Sequence, residues 1–168
     1  TLYFTANHPQ EGKELWKSKG TPASTVQVAD IRRGGDSSPR NFAAVGNTLF
    51  FAALGESGGV ELWKSNGTAA GTVMVKDIIP GEASGNPQLL HVVGSTLFFV
   101  ANDGTTGLEL WKSNGTADGT VLVKDITPGP FGQGPLELAT GGNLLFFSAD
   151  DGVNGRELWQ SDGTPAGT

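Results

Sequence analysis

Cysteine is missing from all 168 residues, which excludes disulfides and thiolate metal sites. Its absence does not report a redox compartment, since a secreted repeat protein can do without disulfides. Histidine occurs twice, as His8 and His91, so neither a His pair at metal-ligand spacing nor a Ser/His/Asp set is present. Charged side chains make up 17% of the chain, against a usual share of about 25%. The net charge is -6, and Lys and Arg form no broad cluster, which argues against nucleic acid as a partner. No apolar run approaches the ~20 residues that a membrane-spanning helix needs, so no membrane insertion is expected. The sequence opens on Thr1 inside a repeat, without an initiator Met or a signal-peptide pattern, so a mature product, an excised fragment or the visible part of something larger is expected.

Glycine, in contrast, is plentiful, at 26 of 168 residues against a usual share of about 7%. Seven of these glycines belong to one stretch, Glu109-Leu110-Trp111-Lys112-Ser113-Asn114-Gly115-Thr116-Ala117-Asp118-Gly119-Thr120, which occurs in four versions. Its Trp falls at Trp16, Trp63, Trp111 and Trp159, in steps of 47, 48 and 48 residues. Between Glu61–Ile78 and Glu109–Ile126 only Ala70/Asp118 and Met74/Leu122 differ. A period of this length marks a repeat architecture, which overrides the domain count suggested by length alone.

Each repeat contains four short segments, A to D. Segment B is Leu97–Ala101, matched by Leu2–Ala6, Leu49–Ala53 and Leu145–Ala149. Aromatic and β-branched residues over five positions predict a strand. In a strand Leu97, Phe99 and Ala101 face one way while Phe98 and Val100 face the other, so B must be covered on both faces. Segment C is Glu109–Ser113. Segment D, Thr120–Ile126, is half polar, as an outer strand should be. Segment A is Leu90–Gly94, matched by Phe42–Gly46 and Leu138–Gly142. A joins B through Gly94-Ser95, a two-residue hairpin signal. C joins D through Asn114-Gly115, Asn66-Gly67 and Asp162-Gly163. The first copy has Lys19-Gly20 there, and because Lys tolerates positive φ poorly, an altered turn is expected.

The expected fold is therefore all-β: a β-propeller of four-stranded blades with a period of ~48 residues. The blades are 1–31 (B-C-D), 39–78, 87–126 and 135–168 (A-B-C), about three and a half repeats and fourteen strands. A single sandwich would demand in/out alternation that B lacks, and no window carries a helical period. Four blades are near the lower limit of a closed ring, so further repeats in a longer array, or pairing with other copies, are expected.

At these residues the chain resembles the bacterial ELWxxDGT-repeat family. Glu157–Thr168 fits the motif throughout, the second and third copies carry Asn66 and Asn114 in place of its Asp, and the first carries Lys19. The resemblance covers the whole chain. It implies β-propeller-like repeats in large secreted or cell-surface proteins, and it brings no catalytic residues with it.

Chemistry-bearing residues are few, and no enzyme, cofactor or metal is expected. The positions equivalent to His8 are Gly55, Asp103 and Asp151, and those equivalent to His91 are Ala43 or Ala44. Glu14, Glu61, Glu109 and Glu157 come one per blade beside a Trp, where a bond to neighbouring backbone or to a hydroxyl such as Thr120 is the expected role. Trp16, Trp63, Trp111 and Trp159 read as inter-blade packing rather than as a sugar platform. Asn102-Asp103, Asp150-Asp151 and Asn154 offer oxygen ligands for Ca²⁺, yet Asn7-His8 and Leu54-Gly55 break the pattern and turn chemistry explains it better. The A–B and C–D turns share one rim and scarcely vary, whereas the B–C and D–A loops on the other rim differ between copies. Loops of that kind can carry recognition without loss of the blade. The candidate ligand residues are Arg32, Arg33, Asp36, Arg40 and Phe131, with carbohydrate or protein as partner, alongside other copies of the chain or further repeats. A structural unit that self-assembles through open blade edges is the alternative.

Overall fold

The computed structural model describes residues 1–168. Fourteen strands form in the order of the segment pattern. They are β1 (Leu2–His8), β2 (Gly12–Ser18), β3 (Val26–Ala29), β4 (Arg40–Val45), β5 (Thr48–Leu54), β6 (Val60–Ser65) and β7 (Val73–Lys76), then β8 (Gln88–Val93), β9 (Thr96–Asn102), β10 (Leu108–Ser113), β11 (Val121–Lys124), β12 (Leu136–Gly141), β13 (Leu144–Asp150) and β14 (Arg156–Ser161). They make four antiparallel sheets in which sequence neighbours pair: sheet I is β1-β2-β3, sheet II β4 to β7, sheet III β8 to β11, and sheet IV β12-β13-β14.

The expected segments map onto these strands with small shifts. A is longer than Leu90–Gly94, because β8 starts at Gln88. The register shifts between Gln88 and His91, and Leu89 there has φ 53. Asn41 (φ 59) and Glu137 (φ 57) sit at the same irregularity in β4 and β12, so the distortion belongs to the repeat rather than to one side chain. The register also settles the equivalence of His91. It pairs with Phe98 as Ala43 pairs with Phe50, so Ala43 and not Ala44 is its counterpart. D is shorter than Thr120–Ile126, its paired part being Val121–Lys124.

The sheets stack face on face in chain order. Leu15, Val28 and Ile31 of sheet I and its following loop meet Leu49, Phe51 and Ala53 of sheet II. From the other face of sheet II, Phe50, Leu62, Val75 and Ile78 meet Leu97, Phe99, Ala101 and Trp111 of sheet III. Sheet III in turn presents Val93, Phe98, Leu110, Val123 and Ile126 to Leu145, Phe147 and Ala149. The two apolar faces of segment B thus have separate destinations, each a neighbouring sheet. The stack is also wedged. The A strands lie side by side, β4 against β8 and β8 against β12, while the D strands at the opposite edges make no comparable contact.

Candidate functional site

The glutamates of the first three motifs each tie their sheet to the loop that follows. Glu14 accepts hydrogen bonds from the Ile31 amide (2.9 Å), the Ser37 amide (3.2 Å) and the Ser37 hydroxyl (2.6 Å). Glu61 accepts from the amides of Ile78 (2.8 Å) and Gly85 (2.7 Å). Glu109 accepts from the Thr127 amide at 3.0 Å, and its second oxygen is buried without a partner. Backbone is therefore the partner, as expected, but Thr120 is not: its hydroxyl pairs with Ser113 at 2.7 Å. Burial pushes all three carboxyls above the usual carboxylate range, Glu109 to about 7. The desolvation is least offset at Glu109 because fewer amides reach it. Glu157 is exposed.

The rest of the motif closes a loop and then grips the neighbouring sheet. Asn114 Oδ1 accepts from the amide and hydroxyl of Thr116, Thr116 Oγ1 from the Gly119 amide, and Thr120 Oγ1 donates back to the Thr116 carbonyl. A Cβ on Gly119 would stand 2.0 Å from Asn114 Oδ1, so the second glycine is required by close approach. In the first copy Lys19 lacks the side-chain acceptor. Ser24 Oγ takes the amides of Lys19 and Thr21 instead, and Pro22–Ser24 forms a 3-10 turn. The turn is altered as expected, but for a different reason. Positive φ falls on Gly20 (φ 90), Gly67, Gly115 and Gly163, and never on the residue before.

Lys17, Lys64 and Lys112 each send their ammonium across to the carbonyl of that glycine in the next sheet, Gly67, Gly115 and Gly163, at 2.8, 2.8 and 2.7 Å. An aromatic ring lies against the same glycine. A Cβ on Gly115 would come within 3.2 Å of Phe50, and one on Gly163 within 3.2 Å of Phe98. Glycine there serves both the left-handed turn and the approach of the neighbouring sheet.

Two equivalent grooves open beside these contacts on the invariant rim. One, about 420 Å³, runs between Tyr3, Lys17 and Val26 on one side and Asn66, Gly67 and Thr68 on the other. Its counterpart, about 410 Å³, lies between Phe50, Lys64 and Val73 and the loop Asn114-Gly115-Thr116. A third cavity, about 480 Å³, lies between sheets I and II and includes Arg33, Glu56 and Trp63. Sequence reasoning had no signal for the grooves, because they are made by invariant residues meeting across an interface.

The five candidate ligand residues do not form one patch. Arg33 is exposed, its backbone amide donates to Glu56 Oε1 at 2.9 Å, and it lines the cavity between sheets I and II. Arg32, half-buried, lies over Gly35. Asp36 Oδ1 accepts from the Lys13 amide at 3.0 Å, holding the loop to β2. Arg40 reaches Asn86 Oδ1 at 3.5 Å, on the loop that joins sheets II and III. Phe131 is 92% exposed on the loop between sheets III and IV.

Trp63, Trp111 and Trp159 pack between sheets as expected, whereas Trp16 joins none of the inter-sheet cores and lies against His8 of its own sheet. Trp111 is 6% exposed in the sheet II–III core, and Trp159 stacks on Phe147 at 6.5 Å. The Asp/Asn loops are turns. Asp103 Oδ1 accepts from the amides of Thr105 and Thr106, and Asp151 Oδ1 from those of Val153 and Asn154. These last bonds hold Asp151 below the usual carboxylate range. No family model matches the chain, and no curated protein or solved structure matches it.

Proposed function

We propose that the chain is a non-catalytic β-propeller module of a secreted or cell-surface protein, whose four sheets are successive blades that present copy-specific loops to a carbohydrate or protein. The observation that carries the propeller reading is the wedge: sheets stacked face on face, converging at their A strands and parting at their D strands. The resemblance of Glu157–Thr168 to the ELWxxDGT motif supports it. For binding, the support is the division of labour between rims. Invariant motif residues are consumed in loop closure and inter-sheet contacts, whereas Arg32, Arg33 and Phe131 make no side-chain hydrogen bond that the fold requires. The test is retention on an array of acidic and neutral glycans. Replacing Arg32, Arg33 and Arg40 together by Ala should abolish retention without lowering the melting temperature. Unchanged retention would remove the loops from the account.

A second reading is favoured by the outer faces. Leu158 is 78% exposed where its counterparts Leu15, Leu62 and Leu110 are 0%. Leu2 is 66% exposed where Leu97 and Leu145 are 0%. The outer faces of sheets IV and I are thus the two halves of the interface repeated inside the stack, which supports assembly of copies end to end.

A further inference from the structure

Sheets II and III carry a lysine at the same point of their outer strand, Lys76 in β7 and Lys124 in β11. Each ammonium reaches the C–D loop of the following sheet. Lys76 Nζ donates to the Ala117 carbonyl at 3.4 Å, and Lys124 Nζ to the Thr168 carbonyl while lying 5.7 Å from the centre of the Trp159 ring. In β3 this position is Ala29. By repeat register the matching acceptors for sheet I are on Ala69 and Thr72, and the matching indole is Trp63. All three, together with Ala29, line the cavity of about 480 Å³ between sheets I and II.

We propose that this cavity is a binding site for an alkylammonium group, the end of a lysine side chain or a free primary amine. The molecule itself supplies the precedent in two parts: Lys76 meets the Ala117 carbonyl, the counterpart of Ala69, and Lys124 meets the Thr168 main-chain oxygen and the Trp159 ring, the counterparts of Thr72 and Trp63. The acceptors have capacity to spare. Ala69 O takes only the Thr72 amide (3.1 Å), as Ala117 O takes the Thr120 amide (3.2 Å) while also receiving Lys76. The indole face attracts a cation through the ring quadrupole. Two carboxylates, Asp30 and Glu56, complete the wall, and Glu56 is particular to this interface, with Gly104 and Gly152 in its place elsewhere. Arg33 also borders the cavity, but its guanidinium makes no hydrogen bond or ion pair, so the carbonyls remain open. The wall is net negative, one Arg against two carboxylates.

The site does not rest on the glycan or protein reading above, and Ala29→Lys leaves Arg32, Arg33 and Arg40 in place. The experiment follows the indole N–H resonance of Trp63, assigned with Trp63→Phe, in the labelled full chain. Nα-acetyl-lysine methylamide and n-propylammonium are titrated, with the Nε-acetylated lysine amide as the neutral control. A saturable shift with the charged probes and none with the neutral one is expected. Ala29→Lys should abolish the shift while melting no lower than the wild type, Ala29→Leu should abolish it by filling the cavity without charge, and Glu56→Gln should weaken affinity several-fold. A response to both charged probes assigns recognition to the ammonium group alone; a response to the lysine amide alone assigns it to peptide-borne lysine. An unmoved Trp63, an equal shift with the neutral analogue, or an equal shift in both Ala29 variants would overturn the proposal.

Discussion

At the scale of single residues, one repeated glutamate has different chemistry in different copies. Glu14 uses both oxygens against three donors, while one oxygen of Glu109 is buried without a partner. Glu14→Gln therefore removes an acceptor from buried donors and should cost about 1–3 kcal/mol, read by chemical denaturation. At Glu109 the desolvation that raises all three carboxyls is least offset by donors, and its carboxyl rises from 4.5 to about 7. A raised folded-state pKa stabilises the fold below the unfolded value, and that contribution is lost as the pH climbs from 4.5 through 7. Glu109→Gln should accordingly gain on the wild type in melting temperature between pH 5 and 8. Parallel pH profiles would contradict it. The sequence made a structural role for these glutamates legible, since one per repeat beside a Trp is a pattern of construction. Their partners were hidden. Ile31, Gly85 and Thr127 contribute amides, which no side-chain pattern records.

Among the strands and loops, the two apolar faces of segment B were readable from alternation alone, and the sheets on either side of β5 and β9 account for both. The irregular start of the A strands was not readable. Asn41, Leu89 and Glu137 share a left-handed φ but no chemical type, so the bulge is imposed by the surrounding sheet rather than by local preference. The Asn-Gly pairs were legible as turns. Their fuller role lies across the interface, where Lys64 meets the Gly115 carbonyl at 2.8 Å. Lys64→Met keeps the aliphatic stem and removes that bond. A loss of about 1.5 kcal/mol, or roughly 3–6 °C in melting temperature, is expected from calorimetry. An unchanged melting temperature would mean that the link contributes nothing net.

For the molecule as a whole, the period fixed the number and order of the sheets, but composition could not say which residues of distant repeats would meet. Arg33 and Glu56 lie 23 positions apart and come together only because the sheets stack, while Arg40, the first residue of β4, reaches toward Asn86 and Phe131 lies on the loop between sheets III and IV. The central structural claim is that one face-to-face interface, repeated between consecutive sheets, builds the molecule and leaves its two halves on the outer faces. Light scattering across a range of concentrations tests this most directly, on the wild type and on Leu158→Lys. The account predicts that the wild-type mass rises from 17.4 kDa to a discrete multiple, whereas Leu158→Lys stays at 17.4 kDa. A wild type fixed at 17.4 kDa at every concentration, or a variant that assembles equally well, would contradict it.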